Sequence, residues 1–285
     1  MATRREIYER LRSVALERYD DDNEARSIAE CIVLSLGGIS RNDLVLEPNK
    51  ELDIADLERV IDEIRAWRPV QYIVGSAPFD DMELEVREGV LVPRPETEEL
   101  VRWVAGDMPA GATILDVGTG SGCIAIALAR RLAGSSVWGM DISPEALSVA
   151  RSNAERYASD VAFVEGDALG DFSQHFDTKF DAIVSNPPYI PVSDRTLMRP
   201  NVTEHEPSTA LFVPDEDPLL FYRAIARTAR GMLRERGRLY FEIYEMLSAQ
   251  MCQMLATEGY DNVELRHDFK DKPRMICARV SSIER

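Results

Sequence analysis

The stretch Asn186-Pro187-Pro188-Tyr189 joins residue types that can hold a planar amide or amino group. Asn186 carries an acceptor oxygen and a donor nitrogen side by side, and Tyr189 offers a flat ring for stacking. Because proline interrupts a regular strand ladder, the carbonyl groups of Asn186 and Pro187 are left to accept hydrogen bonds from an incoming –NH2 group. The tetrad therefore predicts a site for an amide or an amino-substituted base whose nitrogen lone pair faces outward. A plain strand terminator is the alternative, but strands end with a single proline more readily than with this tetrad.

A glycine-rich turn and two acidic residues could hold a ligand that contains a ribose. The turn consists of Gly118, Thr119, Gly120, Ser121 and Gly122. Its glycines allow close approach to a ligand, and its spacing differs from the dinucleotide pattern G-x-G-x-x-G. Asp141 ends the next strand, where a carboxylate can accept both ribose hydroxyls; its alternative role is a helix cap, which Ser143 could supply instead. Asp167, followed by Ala168, could contact an adenine amino group or serve as a turn residue.

Alternating strands and helices must position these residues. From about residue 112 the pattern alternates, with the buried strand Thr113–Val117 as its first element, and this predicts an α/β fold with a parallel sheet covered by helices. The glycine turn, Asp141 and the tetrad each follow a strand, so they are expected at the ligand-binding edge of the sheet. The connection 190–217 is long and rich in Pro, Asp and Glu, and connections of this kind are often functional.

The first 70 residues are expected to contain no catalytic motif. Residues 1–70 predict a helical bundle, in which Asp53 caps a helix that stops before Arg68-Pro69. Residues 71–95 predict a β-hairpin linker, and Pro95 is expected at the first position of a helix. The predicted domains are therefore 1–70, 71–95 and 96–285.

Composition limits the class of protein. The chain has 285 residues and a net charge of −17, from 33 basic and 50 acidic residues, which argues against stable binding to nucleic acid. We expect a cytoplasmic monomer without membrane contact, because no signal peptide or apolar span is apparent. The four cysteines are far apart and the three histidines lack metal-ligand spacing, so neither a disulfide framework nor a metal site is expected.

The order of the glycine turn, Asp141 and Asn-Pro-Pro-Tyr along the chain resembles that in class I S-adenosylmethionine methyltransferases that act on amide or amino nitrogen. The tetrad alone is shared with DNA adenine methyltransferases. A narrower set of segments resembles the HemK/PrmC family, the release factor glutamine methyltransferases, and the likeness runs along nearly the whole chain. These segments are Pro93–Val101, Ile114–Ala129, Asp141–Ala154, Phe180–Pro191 and Glu204–Leu211.

The resemblance implies a seven-stranded sheet with a reversed last strand and S-adenosylmethionine as cofactor, with S-adenosylhomocysteine as product. It implies that the glycine turn and Asn186 contact the cofactor, with Asp141 on its ribose and Asp167 and Ala168 beside its adenine. It also implies that the tetrad holds the glutamine amide of a Gly-Gly-Gln loop in a class 1 peptide release factor, which residues 1–70 help to dock. Many relatives have a bulky aromatic where Ala168 stands, and a glycine-rich run where this chain has FVPDEDP.

The expected reaction is in-line methyl transfer, with Asn186, Pro187 and Tyr189 as the catalytic residues and with no metal or general base. Three alternatives remain open. They are glutamine methylation of a ribosomal protein, adenine methylation in DNA, which would need a basic recognition region, and cofactor binding without catalysis.

Overall fold

The computed structural model describes residues 2–157 and 160–281, which form two compact units. The first unit runs to Ser76 and also includes Met198–His205. The second unit consists of Ala77–Leu197 and the chain from Glu206 onward, so the region 71–95 predicted as a hairpin linker is divided between the two units. The predicted functional division into 1–70, 71–95 and 96–285 stays a prediction.

The helices are numbered along the chain. They are α1 (Arg4–Tyr19), α2 (Asp22–Gly37), α3 (Arg41–Leu46), α4 (Leu57–Arg65), α5 (Val70–Val74), α6 (Pro95–Asp107), α7 (Cys123–Arg131), α8 (Pro144–Arg156), α9 (Pro200–Thr203), α10 (Ser208–Leu211), α11 (Leu220–Met232) and α12 (Ser248–Thr257). Short 3-10 turns lie at Phe172–His175, Val192–Leu197 and Glu245–Leu247.

The strands are numbered in the same way. They are β1 (Ala2–Thr3), β2 (Glu51–Leu52), β3 (Ser76–Phe79), β4 (Met82–Glu85), β5 (Thr113–Val117), β6 (Ser136–Asp141), β7 (Val161–Glu165), β8 (Phe180–Ser185), β9 (Ile190–Pro191), β10 (Phe212–Val213), β11 (Leu233–Glu242), β12 (Tyr260–His267) and β13 (Pro273–Val280). Among the helices of the described residues, no apolar stretch has the length that a membrane span requires.

The first unit is a helical bundle, as predicted. Its core is apolar and includes Leu11 of α1, Ile32 of α2 and Ile61 of α4. The predicted cap at Asp53 is wrong, because α4 begins only at Leu57 and its N-cap position is Asp56. Buried Ile54 holds the intervening chain in the core before the helix can start.

A segment from the middle of the chain completes this unit. The Arg199 guanidinium pairs with the Glu24 carboxylate, and its centre lies 6.0 Å from the ring centroid of Tyr19. His205 Nε2 lies 2.8 Å from the carbonyl oxygen of Ala66. These contacts tie Met198–His205 to helices that precede it by more than a hundred positions.

The second unit is built on one large sheet. Over the described residues, seven strands pair in the order β12-β13-β11-β8-β5-β6-β7. The ladders from β11 to β7 are parallel, whereas β13 is antiparallel to both neighbours. The expected α/β fold with a reversed last strand is therefore confirmed.

Helices cover both faces of the sheet. Along β5, Ile114 joins an apolar cluster with α6 and α7, and the next residue, Leu115, joins a second cluster with α11 and α12. Every residue of β5 is buried, as expected for a central strand of a parallel sheet that is covered on both faces. The hairpin of β3 and β4 turns at Asp80 and Asp81, which have φ of 47° and 60°, values typical of a two-residue hairpin turn.

Candidate active site

Three neighbouring strands bring the predicted site residues to one edge of the sheet. β8, β5 and β6 are adjacent and parallel, so their carboxyl ends lie side by side. The glycine turn follows β5, Asp141 is the last residue of β6, and Asn186 directly follows β8. Ser185 Oγ, at the end of β8, donates to the Val117 carbonyl at 2.6 Å and joins two of these ends. This edge is where open α/β sheets bind their ligands.

The glycine turn has the backbone geometry that its sequence predicts. Gly118, Gly120 and Gly122 all have positive φ, at 76°, 55° and 82°. A Cβ at Gly122 would lie 2.9 Å from Ile126 Cδ1 and 3.3 Å from the backbone Cα of Ala150, so close packing adds to the positive φ in favouring glycine at this position. By contrast, no atom lies within 4 Å of the position of a Cβ at Gly118 or Gly120. The turn is therefore packed on the side of α7 and open at its first two glycines.

Asp141 holds the glycine turn in place. Its Oδ2 accepts a hydrogen bond from the Gly120 N–H at 2.8 Å, and its Oδ1 accepts one from the Ser143 N–H at 2.9 Å. Burial raises the pKa of this carboxyl, and the N–H groups of Ser143 and Gly120 oppose that rise. Ser143 is the N-cap of α8, since its Oγ accepts from the Ala146 N–H, and Asp141 is therefore not that cap. The ribose contact of Asp141 stays a prediction.

Asp116 and Thr119 form a buried pair that the sequence analysis missed. Thr119 Oγ1 donates to Asp116 Oδ2 at 2.6 Å, and both residues are buried. Burial raises the pKa of the Asp116 carboxyl to about 7, and the nearby charge of Asp141 adds to the rise. An acidic residue inside the apolar run TILDV was the signal that could have indicated it.

Asn153 links the glycine turn to the hairpin. This fully buried side chain donates from Nδ2 to the carbonyls of Ser121 and Glu85, at 3.0 and 3.1 Å. Its Oδ1 accepts from the Glu85 N–H at 2.7 Å. Asn153, inside α8, thus satisfies polar groups of two separate segments and holds Ser121 of the glycine turn close to Glu85 at the end of β4.

The tetrad is hydrogen-bonded to two residues that were not predicted as site residues. Asn186 Nδ2 donates to Thr97 Oγ1 at 3.3 Å, and Thr97 Oγ1 donates to Glu242 Oε2 at 2.6 Å. The Tyr189 hydroxyl donates to Glu242 Oε1 at 3.2 Å. Burial raises the pKa of the Glu242 carboxyl, and burial together with Glu242 raises the pKa of Tyr189.

Tyr189 differs from the other tetrad residues in its surroundings. Asn186, Pro187 and Pro188 line a cavity at this edge of the sheet, whereas Tyr189 is not among the lining residues. Its ring lies parallel to that of Tyr244, with centroids 6.1 Å apart and an interplanar angle of 12°. The stacking of Tyr189 on a substrate stays a prediction.

The cavity has a volume of about 480 Å³ and brings most of the predicted cofactor residues together. Those that line it are Gly118, Thr119, Gly120, Ser121, Asp141, Asp167, Ala168 and Asn186, while Gly122 does not.

Asp167 makes a local turn, since its Oδ1 accepts from the Leu169 N–H at 2.8 Å. Ile142 and Leu169 also line the cavity and remain 60% and 44% exposed, so two large apolar side chains face the space next to Asp141 and Asp167.

A buried ion pair joins two segments that the sequence analysis treated as separate motifs. Arg94 Nη2 donates to both carboxylate oxygens of Glu206, at 2.6 and 2.8 Å. The Val92 N–H donates to the same carboxylate at 3.2 Å. The Glu206 side chain is 1% exposed, and Arg94, Val92 and Pro207 line the cavity. The pair therefore fastens the long 190–217 connection to one wall of the cavity.

Models of two protein domain families together match most of this chain. The family model of a methyltransferase domain matches residues 109–281, and the PrmC N-terminal domain matches residues 10–75. A release factor glutamine methyltransferase from Flavobacterium psychrophilum is 39% identical over 270 residues, which cover 92% of this chain and 94% of that protein. A protein of the same name from Bacteroides thetaiotaomicron is 40% identical, over 90% of this chain and 92% of its own.

A solved structure shares the fold. The crystal structure of a methyltransferase from Pyrococcus furiosus matches with a TM-score of 0.54 and 18% identity, over 70% of this chain and 90% of that one. At this level of identity the match shows the methyltransferase fold alone.

Proposed function

Because this chain belongs to the family of release factor glutamine methyltransferases, we propose that it methylates the glutamine side-chain amide in the Gly-Gly-Gln loop of a class 1 peptide release factor. It is an S-adenosylmethionine-dependent protein glutamine methyltransferase, and the proposal concerns its substrate and the roles of its residues. The observation that supports these roles is the position of Asn186-Pro187-Pro188-Tyr189 at a strand end beside the glycine turn.

The residues around the cavity fit S-adenosylmethionine. A volume of about 480 Å³ falls in the range of ~300–1,000 Å³ that small-molecule and cofactor sites take. The open glycine turn suits close approach of a ligand, and Asp141 offers carboxylate oxygens to ribose hydroxyls. Ile142 and Leu169 offer apolar surface to a flat adenine ring. When bound, the cofactor supplies a methyl group that is already activated on a sulfonium.

The chain's own contribution is to position the acceptor nitrogen. An amide nitrogen is a poor nucleophile because its lone pair is delocalised into the carbonyl. Asn186 Oδ1 and the Pro187 carbonyl would accept the two amide N–H groups, which turns the lone pair outward and favours a pyramidal nitrogen. Holding that geometry accounts for most of the rate gain that the protein can provide. The cationic methylated amide is acidic and loses its proton to water.

The test is methyl transfer from labelled cofactor to purified release factor. We expect one methyl group on the glutamine of the Gly-Gly-Gln loop, located by mass spectrometry of the digested product. A release factor whose loop glutamine is replaced by alanine is the matched control and should receive none. Asn186→Ala in the enzyme should reduce the rate by at least ~10²–10³, the usual cost of one transition-state hydrogen bond, while cofactor affinity stays within a few-fold of the wild-type value.

The same assay separates the alternatives. Ribosomal proteins and duplex DNA are offered in parallel reactions with the same enzyme. Labelling of a ribosomal-protein glutamine without labelling of release factor would overturn the proposed substrate, and labelling of adenine in DNA would overturn the substrate class. The net charge of −17 favours the protein substrate over DNA.

A further inference from the structure

Glu242 is a buried carboxylate that contacts Tyr189 of the tetrad directly and Asn186 through Thr97. It is the last residue of β11, which pairs with β8, and it is only 2% exposed. One of its oxygens accepts from the Tyr189 hydroxyl and the other from the Thr97 hydroxyl. Burying an acidic group costs free energy unless its oxygens are hydrogen-bonded, and here both donors come from the segments that carry the tetrad and the start of α6.

The Thr97 hydroxyl has a single proton, and the chemistry of its two neighbours determines where that proton goes. The short 2.6 Å contact to Glu242 Oε2 uses it, because a carboxylate can only accept. Towards Asn186 the Thr97 oxygen can then act only as an acceptor. The group of Asn186 that lies 3.3 Å from it must therefore be the –NH2 end of the amide.

We propose that Glu242 and Thr97 are positioning residues that fix the orientation of the Asn186 amide, so that its oxygen rather than its –NH2 group faces the substrate. This inference rests on the proposed function, in which Asn186 binds a substrate –NH2 group. The two ends of an asparagine amide have nearly the same size, so packing alone does not distinguish them. A chain of hydrogen bonds that ends on a carboxylate does distinguish them.

The reversed orientation would be unproductive. With its –NH2 group towards the cavity, Asn186 would meet the substrate –NH2 with donor against donor, and one buried donor would stay without an acceptor. The Asn186 oxygen would also lie against the Thr97 oxygen, whose only proton is already used. Both mismatches disfavour the reversed form, so the Thr97–Glu242 pair prepares the site before the substrate arrives.

The experiment compares Thr97→Val with Thr97→Ser. Valine keeps the shape of threonine and removes the hydroxyl, whereas serine keeps the hydroxyl and removes a methyl group. We expect Thr97→Val to lower kcat for release factor by about 10- to 100-fold, with a smaller change in KM and unchanged cofactor affinity in calorimetry. Thr97→Ser should restore most of the lost kcat. Equal loss in both variants would overturn the inference, because it would indicate packing rather than the hydroxyl.

Two further measurements separate positioning from folding. In ligand-free protein labelled with ¹⁵N, the side-chain –NH2 signal of Asn186, identified by its absence in Asn186→Ala, should move in Thr97→Val and stay in Thr97→Ser. Adding Thr97→Val to Asn186→Ala should cause no further loss of kcat, since Thr97 acts through Asn186.

The outcomes distinguish this inference from the proposed function. An active wild-type enzyme with an unaffected Thr97→Val variant, or with an unmoved Asn186 signal, overturns the inference and leaves the proposed function in place. A wild-type enzyme that leaves release factor unmethylated overturns both.

Discussion

At the scale of single residues, Asp141 connects the cofactor site to the glycine turn. In the ligand-free site its oxygens accept from the Gly120 and Ser143 N–H groups, which position it beside the cavity. Asp141→Ala should weaken S-adenosylmethionine binding because the ribose contacts are lost and the turn also loses an anchor. Calorimetry measures the affinity, and Asp177→Ala, at a residue that does not line the cavity, is the control. Unchanged affinity would show that Asp141 only supports the backbone.

Asp116 should make the free energy of unfolding fall as pH rises, whereas most carboxylates make it rise with pH. Its pKa is raised from 3.8 to about 7 by burial, so the folded protein binds a proton that the unfolded chain releases near pH 4. The resulting stabilisation is complete below pH 4 and is lost as pH rises through about 7. Asp116→Asn removes the titration and keeps an acceptor for Thr119.

Denaturant unfolding at pH 5 and pH 8 tests this behaviour. The free energy of unfolding of the wild type, measured relative to that of Asp116→Asn, should be smaller at pH 8 than at pH 5. Other carboxylates titrate in both proteins, so their contributions cancel in this difference. A difference that stays constant between the two pH values would contradict a raised pKa for Asp116.

At the scale of elements, the pair of Arg94 and Glu206 holds the long connection against the segment before α6. Breaking a buried ion pair costs ~3–5 kcal/mol, but Arg94 is a third exposed, so we expect ~1–3 kcal/mol for Glu206→Gln. Cofactor affinity should fall together with stability, because Arg94 and Pro207 line the cavity. Glu204→Gln, at an exposed residue nearby, is the matched control, and equal behaviour of the two variants in thermal unfolding and calorimetry would disprove the role.

The elements themselves were largely predictable, and their long-range partners were not. Pro95 begins α6 and Ser143 caps α8 because both roles depend on local backbone chemistry. The ends of β5, β6 and β8 were predictable from buried apolar runs that stop at a glycine, an acid and a proline. Thr97 and Glu242 were not predicted as site residues because they are 145 positions apart, and although Thr97 lies within the segment Pro93–Val101, nothing local indicates that its hydroxyl bonds to Glu242. The sequence around each residue does not indicate which distant residue it will contact in the folded protein.

At the scale of the whole molecule, the division into two units allows a test of the docking role proposed for residues 1–70. Removing the chain through Ser76 should leave cofactor binding largely in place, since every residue that lines the cavity belongs to the second unit. Methylation of intact release factor should fall sharply, whereas a short Gly-Gly-Gln peptide should react at a similar rate with both proteins. Thermal unfolding verifies that the shortened chain is folded. Full activity on intact release factor would contradict docking.

The segment Met198–His205 has a consequence for how the protein is made. The first unit includes this segment, which is translated roughly 120 residues after Ser76, so at ~5–20 residues per second a ribosome needs on the order of ten seconds to supply it. During that interval Glu24 and the carbonyl of Ala66 lack Arg199 and His205, their partners in the finished fold. The first part of the chain to emerge is thus completed only after most of the sheet strands have been synthesised, and pauses in translation between these points would prolong the life of an unfinished bundle.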